Sequence, residues 1–175
     1  MNRVIRARSA RAFTMAEAVL SVFIVGVVLV AALHTVGASR AAQQKVGDRA
    51  RGMLLAQDLM TEILQYAYED PASGPGSFGL GADEVGDGSR SLWDDVDDYE
   101  GWSASPPQRA DGEPIEGFVG WGRRVAVDWV DPDDLTQTLL YDSGVKRITV
   151  TVTHHDVPVA SLVAVRTSVW PDSGD

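Results

Sequence analysis

The sequence predicts an α+β chain, with one long N-terminal helix followed by a small antiparallel sheet. Three observations predict it. Proline is absent from Phe13 to Asp70, and apolar residues there either run on or recur at helical spacing. Period-two alternation then marks residues 121–129, 145–153 and 160–170. A helix with an apolar stripe and a sheet with an alternating face each need a partner, and each can supply the other's.

The first element begins at an abrupt boundary. Residues 1–12, MNRVIRARSARA, carry Arg3, Arg6, Arg8 and Arg11 and no acid. From Phe13 the chain turns apolar, and between Glu17 and Arg40 lie 22 residues without Asp, Glu, Lys or Arg. As a helix they span about 33 Å, close to the ~30 Å hydrocarbon thickness of a bilayer. Residues 13–39 are therefore expected to cross a membrane. The first 12 residues hold +4 and the rest −14, within a net charge of −10. By the positive-inside rule the N-terminus is cytoplasmic and the acidic body lies across the membrane. An acidic body repels a phosphate backbone, so no nucleic-acid partner is expected. With no cysteine, disulfides, thiolate zinc sites and cysteine nucleophiles are excluded.

Glu17 needs its own account. A carboxylate at the start of a membrane segment is costly, about 2.5–3.5 kcal/mol on insertion scales. Three readings compete. A cleaved secretory signal would use Val36-Gly37-Ala38 as its cleavage site, but Glu17 falls where its apolar region should begin. A plain single-pass anchor explains the arginines and the apolar run and gives Glu17 no task beyond an interfacial position. The third reading makes Glu17 half of an ion pair.

The residues Arg11-Ala12-Phe13-Thr14-Met15-Ala16-Glu17-Ala18-Val19-Leu20 resemble the N-terminus of type IV prepilins and pseudopilins. Alanine stands before the junction where that family usually has glycine. The resemblance implies that a prepilin peptidase cuts between Ala12 and Phe13, removing 1–12 as a basic leader, and N-methylates Phe13. The new amine of Phe13 and the carboxylate of Glu17 would then lie one helical turn apart, on one face. In a filament the amine of one subunit could meet Glu17 of a neighbour, relieving two charges in low dielectric and fixing axial register.

Residues 40–70 are expected to continue the helix. Lys45, Asp48, Arg49, Arg51, Asp58 and Glu62 mark a wet face. Leu55, Leu59, Ile63 and Tyr66, with Ala56, Met60 and Ala67 beside them, mark the core face. Gly26, Gly37, Gly47 and Gly52 are bend points or close-packing sites. The stretch ARGMLLAQDLMTEIL looks like the helix of the I-type minor pseudopilin of type II secretion and of its pilus counterpart, the V-type minor pilin.

The head, residues 71–175, opens with a Gly/Ser/Pro/Asp-rich loop over 71–92, expected to pack little internally. The segment Asp94 to Trp102, DDVDDYEGW, is similar to segments of minor pilins and pseudopilins, including subunits of mannose-sensitive haemagglutinin type. Asp94, Asp95, Asp97, Asp98 and Glu100 are hard oxygen donors and candidate Ca²⁺ ligands, though no twelve-residue loop with a central glycine accompanies them. The plainer expectation is a solvated acidic turn held by Trp93, Tyr99 and Trp102. No other cofactor is expected.

In the sheet, Trp121, Arg123, Val125, Val127 and Trp129 share one face, as do Ile148, Val150 and Val152. Val163, Val165 and Val169 share a face of the third strand, and Leu135–Tyr141 is a fourth candidate. His154 to Pro158 forms the connecting hairpin, where adjacent side chains of an extended chain point apart, against a metal site at His154 and His155.

No catalytic constellation emerges. His34 falls in or near the membrane, and the chain has no P-loop and no Gly-x-Ser-x-Gly. The expectation is a non-enzymatic minor pilin or pseudopilin of the bacterial inner membrane, assembling by its helix into a type IV pilus or type II secretion pseudopilus. Its partners would be other pilins or pseudopilins, the prepilin peptidase, the inner-membrane assembly platform and lipid. The alternative is a membrane-anchored periplasmic binding module or enzyme that never polymerises.

Overall fold

The computed structural model describes residues 14–72, 76–81, 84–85 and 89–168, with the side chains of Ala38 and Ala41 set aside. The chain is α+β. A helix, α1 (Met15–Ile63), is followed by a 3₁₀ turn at Asp97–Tyr99 and four strands, β1 (Ser103–Ala104), β2 (Trp121–Trp129), β3 (Val145–His154) and β4 (Val157–Thr167). The strands form one antiparallel sheet in the order β1-β2-β3-β4. Two compact units divide the chain, Met1–Lys45 and Val46–Asp175.

In the first unit α1 is long and apolar enough to cross a membrane, and it lies near the N-terminus. Every described side chain from residue 14 to 45 is exposed. Its hydroxyls are satisfied within the helix: Ser21, Thr35 and Ser39 each donate to the carbonyl four residues back, at 2.7, 3.0 and 3.0 Å. Such back-bonding spares a hydroxyl from facing hydrocarbon unpaired.

In the second unit the last turns of α1 bury the expected stripe. Leu55, Ala56, Leu59, Met60 and Ile63 pack with Val125, Val127, Ile148, Val150 and Val152 of the sheet, and with Trp93, Val96, Tyr99 and Trp121. The cross-strand pairs Val125↔Val150 and Val127↔Ile148 set that register. Gly52 is a close-packing site: a Cβ there would lie 2.8 Å from Val159 Cγ2 and 3.2 Å from Ala160 Cβ, whereas Gly26, Gly37 and Gly47 face open space.

Three expectations need correction. The helix stops at Ile63, short of residue 70, because Ala67 leaves it to bridge Asp95: Ala67 N–H donates to Asp94 and Val96 N–H donates to Ala67. The segment Leu135–Tyr141 forms only the isolated bridge Val130↔Thr138. There the Asp131 and Asp134 carboxylates take the backbone donors of Asp133 and Thr136, bending the chain into turns that compete with a ladder. Strand β4 begins at Val157, and the hairpin narrows to His155 and Asp156, with φ of 49° and 62°. Val163 and Val165 share a face of β4 as expected, the outer one, while Ala160, Leu162 and Ala164 turn to the core; Val169 lies outside the described residues. Small residues let Gly52 approach.

Candidate functional site

Two places concentrate chemistry, one in each unit. At the start of α1, Thr14 Oγ1 accepts the backbone N–H of Glu17 at 3.2 Å, capping the helix. Glu17 occupies the first helical turn, where a carboxylate complements the helix dipole. Its side chain is exposed amid apolar neighbours: Val19, Leu20, Phe23 and Ile24 are each more than half exposed. Ala12 and Phe13, the expected cleavage and methylation positions, lie outside the described residues.

The second place is an acidic pocket in the head. The expected solvated turn is not solvated: Asp95, Asp97 and Asp98 are each only 1% exposed. Backbone amides explain how carboxylates survive there. Asp95 Oδ1 accepts from Asp97 and Asp98 at 2.7 and 3.1 Å, and Asp98 Oδ2 accepts from Asp94 and Asp95 at 2.9 and 3.2 Å. Asp97 binds the buried Lys146 ammonium, which also donates to the Tyr68 carbonyl. Glu100 accepts from the Val127 amide of β2. The five carboxylates thus serve separate tasks. Trp93 and Tyr99 are buried and Trp102 is half-buried, as anchors should be.

Asp94 instead joins two residues from outside the acidic run. Carboxylate oxygens of Asp70, Glu84 and Asp94 all lie within 4.8 Å of one another. Asp70 and Glu84 are buried at 7% and 5% exposure, and Asp94 is exposed. Asp70 caps the Ala72 amide at 2.6 Å, and Glu84 caps that of Gly81 at 2.6 Å. Burial pushes the Glu84 carboxyl up to about 7, aided by the negative charges of Asp98 and Asp70. Burial likewise pushes Asp95 up to about 8, with Asp97 and Asp98 adding repulsion and Lys146 opposing it.

A second polar cluster ties the loop to the helix. Arg90, fully buried, forks onto Glu62 at 2.8 and 3.1 Å, and Tyr99 donates to Glu62 at 2.8 Å. Arg90 also stacks 4.3 Å from the Trp102 ring. Arg123, on the inner face of β2, reaches Asp58 at 3.3 Å and the Gln108 carbonyl. Burial, then the nearby Arg90 charge, lowers its pKa. His154 stacks on Trp121 at 4.4 Å and meets Asp48 at 3.3 Å. Its neighbour His155 stacks on it rather than turning away, at 4.3 Å.

Sequence reasoning missed Asp70, Glu84, Arg90 and Lys146. Asp70 and Glu84 stand 24 and 10 residues before Asp94, so no local spacing announces the group. Comparison with known protein families, with curated proteins and with solved structures finds no match.

Proposed function

We propose that this chain is a minor pilin or pseudopilin, a structural subunit of the bacterial inner membrane that enters a type IV pilus or a type II secretion pseudopilus through its N-terminal helix. The observation that carries the proposal is Glu17 at the head of a helix whose described residues through 45 bury nothing within the chain. An apolar surface of that length needs hydrocarbon or other helices around it, and the sequence at the Ala12–Phe13 junction resembles a prepilin processing site. The role is non-enzymatic. The helix crosses the membrane once, with its N-terminus cytoplasmic and its head periplasmic. The prepilin peptidase removes residues 1–12 and methylates Phe13, and the assembly platform passes the subunit to its neighbours. There Glu17 meets the Phe13 amine of an adjacent subunit.

The Thr14–Glu17 cap favours a second reading, because it gives Glu17 a local task that needs no filament. A tethered periplasmic module would keep that cap and never polymerise. Glu17→Ala separates the two. The filament reading predicts a variant that is processed and retained in the membrane yet absent from sheared filaments or pseudopili. Incorporation at the wild-type level would leave Glu17 with its capping role alone.

A further inference from the structure

The second unit carries two surface features of complementary chemistry. The first is a groove of about 500 Å³ between α1 and the 105–118 loop, lined by Leu54, Ile115 and Phe118 with Arg51 and Arg109 beside them. Leu54 is 66% exposed. Both arginines are exposed, and neither has an ion-pair partner among the described residues. Asp58, the acid that lines the groove, is already bound to Arg123 at 3.3 Å. The loop wall is held in place: the Gln108 carbonyl accepts from Arg90 and Arg123, and Ile115 N–H donates to Pro107 at 2.8 Å.

The second feature is the 131–142 loop, which carries Asp131, Asp133 and Asp134 and then Leu140 and Tyr141. Leu140 is 96% exposed and Tyr141 65%. The loop is braced from beneath. Arg147 donates to the carbonyls of Leu135 and Thr136 at 2.9 and 3.3 Å and to Thr138 Oγ1 at 3.1 Å, and Leu139 N–H donates to Trp129 at 2.8 Å. A leucine held out in water on a braced loop is an apolar anchor that loses little freedom on docking. Strand β2 keeps the loop from its own groove. Phe118 stands before its first residue and Val130 after its last, so nine residues, about 30 Å of extended chain, lie between them.

We propose that the groove seats the 131–142 loop of a second copy of this chain. Leu140 enters between Leu54 and Phe118, and Arg51 and Arg109 face the loop aspartates. A chain of net charge −10 repels its copies on average, and setting its unpaired arginines against its own acidic loop relieves that repulsion at the contact. The two copies use different patches, so the contact is heterologous and propagates unless its rotation closes a ring. It goes beyond the filament reading and needs neither Glu17 nor the amine of Phe13.

The chain has no cysteine, so introduced cysteines report contact without background. Full-length Leu54→Cys and Leu140→Cys, both at exposed positions, are purified in detergent with different tags, mixed in equal amounts and oxidised. A disulfide needs Cα atoms within about 7 Å, so L54C should join L140C in clear excess over either homodimer. Arg51→Glu and Arg109→Glu added to the L54C chain should cut that product at least about tenfold, because they set acid against acid. Val163→Cys, exposed on the outer face of β4, used in place of L54C, should give only the chance yield. Heterodimer and homodimers in random proportion would overturn the proposal, as would a heterodimer whose yield survives the double charge reversal. The readout involves only Leu54 and Leu140, so its failure leaves the Glu17 reading untouched.

Discussion

The two halves of α1 follow one backbone geometry and solve opposite problems. From 18 to 39 the helix is apolar and its described side chains are exposed; from 55 to 63 it is amphipathic, and its apolar side chains are buried against the sheet of the same chain. The second half is complete as it stands. The first half is not, because its Val, Leu, Ile and Phe side chains are more than half exposed. At ~25 cal/mol per Å², covering such an apolar surface is strongly favourable. Helix propensity cannot distinguish the halves; only the location of the complementary surface can.

This contrast predicts that head stability answers to one half of the helix only. The largest effect should come from Lys146→Met, which leaves Asp97 buried without its counter-ion. It should cost about 3–5 kcal/mol in urea unfolding of the head. A loss below about 1 kcal/mol would mean that the pair is wetter than its burial indicates. Leu59→Ala should cost about 2–5 kcal/mol, since Leu59 is fully buried. Val27→Ala, on the exposed half, should leave the same transition unmoved. Gly52→Ala should cost about 1–3 kcal/mol through overpacking against Val159. Gly26→Ala, facing open space, should leave head stability unchanged and strengthen the helix slightly.

A graded effect concerns pH. The folded-state carboxyl of Asp95, which faces Asp97, Asp98 and Lys146, is raised from 3.8 to about 8, and that of Glu84 to about 7. The folded head therefore holds protons that the unfolded chain has released, so stability falls as pH rises from about 4 to about 8. The melting temperature should drop gradually over that window. A flat or rising profile would show these carboxyls to be compensated.

Much of the head was legible because its strands alternate. Residues 121–129 were bounded correctly, and the Leu55–Ile63 stripe followed from spacing alone. Less legible was anything set by partners far along the chain. Arg90 and Glu84 sit in a Gly-rich stretch that looks solvated, yet Arg90 is buried by Glu62, 28 residues earlier, and by the Trp102 ring. Lys146 shares the inward face with Ile148, but only the packing of Asp97 makes a lysine tolerable there. The helix end at Ile63 likewise depends on the Ala67–Asp95 bridge, which no capping signal foretells.

The most direct test asks what becomes of the uncovered half of the helix. Intact-mass and N-terminal analysis of the protein from cells with an active prepilin peptidase should find a chain beginning at N-methylated Phe13. A chain that retains Met1 and the arginines before Ala12 would contradict the filament account, and one that begins near Ser39 would remove the helix half on which it rests.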